Sequence, residues 1–387
     1  MTTAAHGHWE VIVFGAGPAG SALARRLARQ HRVLLIEREM DRDAARADAW
    51  RIGESLPGSA AVLLRRQGLL DRFVADGHVE RSASVSVWDS VAPVWFDAMR
   101  DPNGPGWHLD RVRFDTMLRN GALDAGAAFA TGRGRIQIQR TANTWQVLYG
   151  NSQHRYAADV IVDATGRSAA LCRSLRLRRR CGDRLVCVHA LLPALPDDVD
   201  RSARTCADQD GWWYSVRVPS GERVLAYHLD ADDPALRGQR AFGVLLARAR
   251  HLPLLAPVLP EEAPNVRTQV RPSGSASLDL ADCAKLPGVY AVGDAILAFD
   301  PLSSQGLFHA LASAESAAAA ISGQLNGDPA AGLSYQTEMQ RVQARYYAHL
   351  AATYAGPRRY AERRFWARRR VRDERIGEPR RTFAASL

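Results

Sequence analysis

The sequence contains very little lysine and few cysteines. Lysine occurs once, at position 285, although Lys and Arg together number 51. The five cysteines are odd in number and include no C-x-x-C pair, which argues against a disulfide framework or a zinc site. No H-E-x-x-H sequence and no cluster of His and Cys ligands occurs either. We therefore expect a reducing, cytoplasmic setting and no metal chemistry.

Long hydrophobic runs are absent as well. No stretch approaches the roughly 20 apolar residues that a membrane-spanning helix needs. The first ten residues are polar, without the charged start and apolar segment of a signal peptide. With 387 residues, of which 47% are hydrophobic, the chain is long enough for one large or two medium globular domains. We expect no membrane span.

Positive charge is concentrated at the end of the chain. Between positions 357 and 387 there are 11 arginines and 4 acidic residues, a net charge of +7 against +10 for the whole protein. Such a segment suggests nucleic-acid binding, an acidic protein partner, or a helix with local Arg–Glu pairs that docks through Phe365 and Trp366. We favour the docked helix and expect no nucleic-acid partner.

The chain begins with a dinucleotide-binding pattern. An apolar strand, 11–14, precedes Gly15, Gly17 and Gly20, and a helical pattern then leads to a second strand that ends at Glu37. These glycines permit a tight turn, close approach of a pyrophosphate and helix–strand packing, and the acid accepts hydrogen bonds from ribose hydroxyls. The residues expected to contact the dinucleotide here are Gly15, Ala16, Gly17, Pro18, Ala19, Gly20, Glu37 and Arg38.

The remaining patterns predict that this nucleotide-binding domain is discontinuous. We assign it residues 1–80, 108–184 and 270–330, and assign a β-rich substrate domain residues 81–107 and 185–269. An arginine-rich helical segment, 331–387, follows. The predicted fold class is therefore α/β (α+β), with an inserted β-sheet domain and a helical C-terminus.

The stretch "AKLPGVYAVGDAILAFDPLSSQG", residues 284–306, has no role in a protein that binds only a nicotinamide nucleotide. FAD is longer, and its ribityl chain and ring need further support. Asp294 follows a short apolar strand, where ribityl hydroxyls can donate to it. The next helix directs amide donors at the ring. Asp300 has an alternative role as a helix cap.

These motifs resemble FAD-dependent oxidoreductases of the aromatic-hydroxylase and tryptophan-halogenase superfamily. The matching pieces are the glycine turn with Glu37, "RVRFDTML", "DATGRSA" and "GDAILAFDPLSSQG". The resemblance implies a Rossmann-like FAD domain of the glutathione-reductase type. "DATGRSA" departs from the hydroxylases' Asp-Gly signature, because Ala164 follows the aspartate. The further cofactor contacts that the resemblance implies are Arg111, Gly293, Asp294, Pro301, Ser304, Gln305 and Gly306.

Three other stretches are similar to one branch, the flavoproteins that oxygenate a peptidyl tryptophan during maturation of quinone cofactors. They are "RIGESLPGSAAVLL", "DGWWYSVRVPSGERVLAYHLD" and "YAERRFWARRR". This branch implies a monooxygenase that uses a flavin hydroperoxide to hydroxylate an electron-rich aromatic ring, either a small indole or a tryptophan within a peptide or protein. Molecular oxygen is the co-substrate, and electrons come from NAD(P)H or a separate flavin reductase.

Halogenation is the competing reaction. Flavin-dependent halogenases resemble this chain but need a lysine soon after the Gly-Glu-Ser loop, where Arg81 and Ser82 stand here. Arginine does not replace it, because its pKa above about 12 prevents the same proton transfer. Ser303 takes the place of a halogenase Glu. We expect Lys285 to be a surface residue. Two further candidate functions are a prenyl reductase and a flavin-bearing, chaperone-like partner binder.

Four residues are candidates for catalysis or substrate binding. His108 precedes Arg111 and can serve as a general base or be a structural histidine. Glu54 lies in the Gly-Glu-Ser loop and can serve as a general base or be a carboxylate at a helix N-terminus. Trp212 and Tyr214 share one face of a predicted strand. They either line an indole pocket or belong to the core of the second domain.

Overall fold

The computed structural model describes residues 7–38, 52–132, 134, 136–141, 144–149 and 155–370. Arg51 of the Gly-Glu-Ser stretch and residues 371–387 of the arginine-rich segment lie outside the described residues. The strands within the described ranges are β1 (Gly7–Phe14), β2 (Val33–Arg38), β3 (Ser55–Leu56), β4 (Val79–Glu80), β5 (Ala83–Val87), β6 (Val94–Asp97), β7 (Trp107–His108), β8 (Ala128–Gly132), β9 (Ile136–Thr141), β10 (Thr144–Tyr149), β11 (Arg155–Asp163), β12 (Arg179–Cys181), β13 (Leu185–Pro193), β14 (Ala203–Asp208), β15 (Gly211–Arg217), β16 (Glu222–Asp230), β17 (Gln269–Pro272), β18 (Ala276–Leu278), β19 (Val289–Ala291) and β20 (Leu297–Ala298).

The α-helices within the described ranges are also numbered in chain order. They are α1 (Pro18–Leu27), α2 (Ala60–Arg66), α3 (Leu70–Ala75), α4 (Arg111–Asp124), α5 (Ala170–Ser174), α6 (Leu236–Gln239), α7 (Phe242–Arg250), α8 (Leu280–Cys283), α9 (Gly306–Leu325), α10 (Ala331–Ala355) and α11 (Arg364–Arg370). Among the described residues, no helix combines the length and the apolar character needed to cross a membrane.

The first large sheet carries the βαβ unit. Its order is β8-β2-β1-β11-β10-β9, and β19 pairs with the C-terminal half of β11. Strands β8, β2, β1, β11 and β19 are parallel, whereas β9 and β10 are antiparallel. The four residues at the end of β1, 11–14, are almost fully buried because α1 and the neighbouring strands cover both faces. The Rossmann-like domain predicted from the sequence is present.

The second large sheet has the order β17-β13-β16-β15-β14-β5-β6. Its strands come from residues 83–97 and 185–272. Strand period places alternate residues on opposite faces. One face packs beneath α7, with Trp213 and Tyr227 in the core, and the opposite face carries Trp212 and Tyr214. The two small sheets, β3-β7-β4 and β12-β18-β20, connect the larger ones.

The described part of the arginine-rich segment docks through the helix α11. Phe365 and Trp366 of α11 are buried, as expected. Within residues 357–370, the arginines pair with aspartates of the second sheet and its loops rather than with Glu362. The pairs are Arg363–Asp210, Arg364–Asp232, Arg368–Asp230, Arg368–Asp232, Arg369–Asp183 and Arg369–Asp230. Charges far apart in the sequence therefore hold α11 on the body of the protein.

Candidate active site

A cavity of about 1260 Å³ is lined by residues from both large sheets. One end lies at the glycine turn after β1, and the other lies against the second sheet. Of the predicted cofactor residues, eleven line it: Gly15, Gly17, Pro18, Ala19, Glu37, Arg38, Arg111, Asp294, Pro301, Ser304 and Gly306. The others, Ala16, Gly20, Gly293 and Gln305, are not among the lining residues.

The three glycines of the turn are required for different reasons. A Cβ on Gly15, whose φ is +104°, would lie 2.3 Å from the carbonyl oxygen of Ala164, and one on Gly20 would lie 1.9 Å from the Gly15 carbonyl oxygen. Gly17 has ordinary extended angles, φ −73° and ψ −175°. A Cβ there would meet no atom of the described residues within 4 Å. Packing within the described residues therefore does not require a glycine here, whereas close approach of a pyrophosphate does, so the turn fits that group.

The acidic residue at the end of β2 is positioned as the fingerprint requires. The Glu37 carboxylate accepts hydrogen bonds from the Ala16 amide at 2.6 Å and from the Arg38 amide at 2.9 Å. Tyr149 lines the same end of the cavity. This end fits the adenosine half of FAD, with Glu37 facing the ribose.

The Gly-Asp loop after β19 is held by two arginines. Arg167 donates to the carbonyl oxygens of Gly274 and Phe299, at 2.6 and 2.5 Å, and its Nε lies 3.4 Å from the Asp294 carboxylate. Arg179 donates to the Asp294 carbonyl at 2.7 Å. Burial raises the pKa of Asp294, whereas Arg167 and Arg179 oppose this shift. Neither arginine is a predicted site residue, although Arg167 belongs to "DATGRSA".

Arg111 connects the Gly-Glu-Ser loop to the cofactor domain. At the start of α4, its Nη1 donates to the carbonyls of Ile52 and Gly53, at 3.3 and 3.1 Å. The guanidinium also contacts both carboxylate oxygens of Asp115 at 3.2 Å. These bonds hold Glu54, the next residue, at the cavity wall.

The second sheet forms its side of the cavity from residues paired across neighbouring strands. Directly opposite residues in an antiparallel pair share a face. His228 of β16 is opposite both Trp212 of β15 and Cys187 of β13. His189 and Tyr214 are both opposite Ala226, one step along. The Trp212 and His228 rings stack at 3.7 Å with an angle of 6° between their planes. The cavity wall on this side is therefore aromatic, which suits an aromatic substrate such as an indole.

Several buried polar groups on this wall are poorly satisfied. Glu54 is 1% exposed, and neither carboxylate oxygen bonds to another side chain of the described residues; the nearest donors are the amides of Gly53 and Glu54. The Tyr214 hydroxyl has no partner within the described ranges. His228 is 2% exposed, and neither of its ring nitrogens has a hydrogen-bond partner in the part of the chain that the structure describes. Buried polar groups that lack hydrogen-bond partners at a cavity wall indicate a ligand that forms hydrogen bonds with them.

Burial sets the protonation of these groups. It raises the pKa of Glu54 to about 7, against which the loop amides and Arg111 act weakly. It lowers the pKa of His228 to about 3 and that of His189 to about 4, so both imidazoles are neutral at pH 7. A carboxyl group that titrates near neutral pH is suited to general-base catalysis.

Two other predicted positions lie outside the cavity wall. His108 is fully buried in β7, and its Nε2 donates to the Arg201 carbonyl at 3.0 Å. Burial lowers its pKa to about 4. Its proximity to Arg111 in the sequence does not bring it to the cavity lining, and we do not propose it as the base. Lys285 is a surface residue, as expected: its side chain is 71% exposed and lies 3.1 Å from Asp282.

The fold and the cavity together define an FAD-dependent oxidoreductase. A family model described as tryptophan halogenase matches residues 96–385, and the chain belongs to that family. The chain is also similar to LodB of Marinomonas mediterranea, which is named as an FAD-dependent oxidoreductase. The two are 27% identical over 370 residues, covering 93% of this chain and 96% of LodB. The resemblance inferred from the motifs is confirmed.

Two solved structures show how widely this fold is used. The myxobacterial chondrochloren halogenase CndH matches with a TM-score of 0.77 at 23% identity, covering 94% of this chain and 86% of CndH. The peptidyl tryptophan dihydroxylase QhpG matches with a TM-score of 0.74 at 23% identity, covering 98% of this chain and 81% of QhpG. At this identity the likenesses establish the shared fold, which serves two different reactions.

The raised pKa of Glu54 predicts a pH-dependent cost in stability. Between its ordinary value of 4.5 and about 7, the folded protein keeps a proton that the unfolded chain releases, so the free energy of unfolding falls as pH rises. We expect Glu54→Gln to remove this slope. Between pH 5 and pH 8, the free energy of unfolding of the variant should therefore rise relative to that of wild type by on the order of 3 kcal/mol. Urea unfolding of both proteins at the two pH values measures this difference. If the free energies of unfolding of the two proteins change with pH in the same way, the raised pKa of Glu54 is contradicted.

Proposed function

We propose that this protein is an FAD-dependent monooxygenase that hydroxylates the indole ring of a tryptophan within a peptide or protein. The observation that carries the proposal is the composition of the cavity wall. It combines the Trp212–His228 stack with the buried Glu54 carboxyl group, and it contains no lysine. The only lysine of the chain is ion-paired on the surface. The similarity to LodB supports an FAD-dependent oxidoreductase, and the similarity to the structure of a peptidyl tryptophan dihydroxylase supports this substrate class.

Bound reduced FAD would supply the activation of molecular oxygen. The protein's own contribution begins with the aromatic wall, against which an indole ring would pack. Electrophilic attack on the ring makes the indole N–H more acidic. Glu54 is the residue we propose to accept that proton on a carboxylate oxygen. The neutral imidazole of His228 can accept a hydrogen bond but not a proton at neutral pH, and the surrounding apolar residues exclude water.

Halogenation is the competing function, and family membership is the observation that favours it. The proposed site argues against it, because a halogenase lysine has no counterpart in the cavity lining. Arg81, which stands near the expected lysine position, is not among the lining residues either. The planar guanidinium of an arginine does not replace the amine of a lysine in such a role.

The proposed electron donor is either NAD(P)H, bound transiently, or a separate flavin reductase, because the sequence has one dinucleotide fingerprint. Anaerobic mixing of the FAD-loaded protein with NADH or NADPH distinguishes these two sources. Rapid bleaching of the flavin indicates direct reduction. A flavin that only dithionite or an added reductase bleaches indicates a partner enzyme.

Incorporation of oxygen from ¹⁸O₂ tests the reaction and the substrate class. The FAD-loaded enzyme, with a reducing system, is incubated with a peptide containing one tryptophan, with free tryptophan and with indole. The control peptide carries alanine in place of tryptophan. We expect ¹⁸O on the indole ring of the tryptophan peptide and none in the control. If no indole compound gains ¹⁸O or stimulates oxygen uptake, hydroxylation of an indole is contradicted.

A further inference from the structure

A hydrogen-bond chain joins two sides of the cavity through a residue outside its lining. Trp212 Nε1 donates to the Tyr354 hydroxyl oxygen at 3.1 Å, and the Tyr354 hydroxyl donates to Asp300 Oδ2 at 2.8 Å. Trp212 and Asp300 line the cavity, whereas Tyr354 lies on α10 behind them. All three are at most 2% exposed. One hydroxyl group therefore bridges the aromatic wall and the flavin loop, which we define as residues 300–306.

Asp300 determines the shape of the flavin loop. Its Oδ1 accepts a hydrogen bond from the Leu302 amide at 2.9 Å, which caps the short turn 301–303. Its own amide donates to the Tyr346 hydroxyl oxygen at 2.6 Å. Ser304 then takes a left-handed conformation, φ +50°, before α9 begins at Gly306. Both tyrosines that contact Asp300 come from α10, so this helix fixes the start of the loop.

Arg369 of α11 holds Tyr354 in place. The Arg369 guanidinium lies 5.2 Å from the centre of the Tyr354 ring and 3.7 Å from that of Phe365. It also pairs with Asp230 at 2.9 Å and with Asp183 at 3.2 Å. An arginine that is 4% exposed and satisfied in this way is part of the packed structure rather than a free surface charge.

We propose that Tyr354, packed against Arg369 of α11, is a positioning residue that fixes the flavin loop relative to Trp212. It acts on FAD through Asp300. This inference relies on the proposed function only for the placement of the flavin ring against the loop. It gives Arg369 a role inside the protein. This role requires neither a nucleic-acid partner nor an acidic protein partner.

The test uses full-length protein loaded with FAD and the variants Tyr354→Phe and Asp300→Asn. Loss of one hydrogen bond to a carboxylate should raise the FAD dissociation constant about tenfold in Tyr354→Phe and alter the flavin's visible absorption and fluorescence. Because both residues act through one bond, the double variant should be no weaker than the weaker single variant. Tyr360→Phe is the matched control, since the hydroxyl group of Tyr360 makes no hydrogen bond to the described residues.

Wild-type affinity and an unchanged flavin spectrum in Tyr354→Phe would overturn the proposal, as would fully additive effects of the two substitutions. If Tyr354→Phe does not fold, Trp212→Phe removes the other end of the chain, and the same spectral change is expected. None of these readouts uses a substrate. A positive result therefore stands even if hydroxylation is disproved, and a negative one leaves the proposed function intact.

Discussion

Replacing Gly17 with alanine is expected to weaken FAD binding by about 100-fold while leaving the fold intact. The backbone at Gly17 is ordinary for any residue, and an added Cβ would touch no atom within 4 Å in the part of the chain that the structure describes. The same methyl group would lie where the pyrophosphate must approach the turn. Alanine is a poorer helix N-cap than glycine, but it also makes the unfolded chain less flexible. These two effects on the free energy of unfolding oppose each other, so the net change should be less than about 1 kcal/mol.

Titration with FAD, followed by flavin fluorescence, measures the affinity of the Gly17→Ala variant. Urea unfolding without FAD measures its stability. Gly15→Ala provides the contrast, because its Cβ would lie 2.3 Å from the Ala164 carbonyl oxygen at a φ of +104°. That variant should lose stability even without cofactor. Normal FAD affinity in Gly17→Ala would show that the cofactor does not lie over this turn.

Replacing Glu54 with glutamine is expected to lower product formation by about 100-fold without loss of FAD. Glutamine keeps the size of the side chain but cannot accept the indole proton, and positioned bases contribute about 10²–10⁴-fold to rates. The wild-type rate should rise with pH up to about 7, because burial raises the pKa of Glu54 to about that value and only the carboxylate accepts a proton. The variant should lack this inflection.

Steady-state product formation between pH 5.5 and 8.5 measures both effects. Glu262→Gln is the matched control, because Glu262 is exposed and lies outside the cavity lining. Oxygen uptake that yields hydrogen peroxide instead of product should persist in Glu54→Gln, since the flavin is still bound and reduced. A wild-type rate and pH profile in this variant would remove Glu54 from the mechanism.

The sequence was most informative where the interactions are local. The glycine turn, Glu37 and the helix that begins near Gly306 follow from residues close together in the chain. The positions of Trp212 and Tyr214 on one face follow from the two-residue period of a strand, and both lie at the cavity wall. Local chemistry and periodicity thus predicted the cofactor half of the cavity and one strand of the other half.

Long-range register determined what the sequence could not show. Cys187 joins Trp212 and His228 only because β13 pairs with β16 in one particular alignment. The short turn between β15 and β16 sets the register of that hairpin, whereas no local pattern encodes the alignment of β13 with β16. The same reason applies to Tyr354, which meets Asp300 across 54 positions of sequence, and to the aspartates that pair with the arginine-rich segment. His108 illustrates the opposite error, since proximity to Arg111 in the sequence did not place its ring at the cavity.

The most direct test of the account is the product formed when bromide and oxygen are both present. FAD-loaded enzyme, a flavin reductase, oxygen and an excess of bromide are incubated with the tryptophan peptide, and the product is analysed by mass spectrometry. Because the cavity lining has no lysine, we expect one or two oxygen atoms on the indole ring and no bromine. A brominated indole would contradict the central claim and identify the protein as a halogenase that works without the lysine.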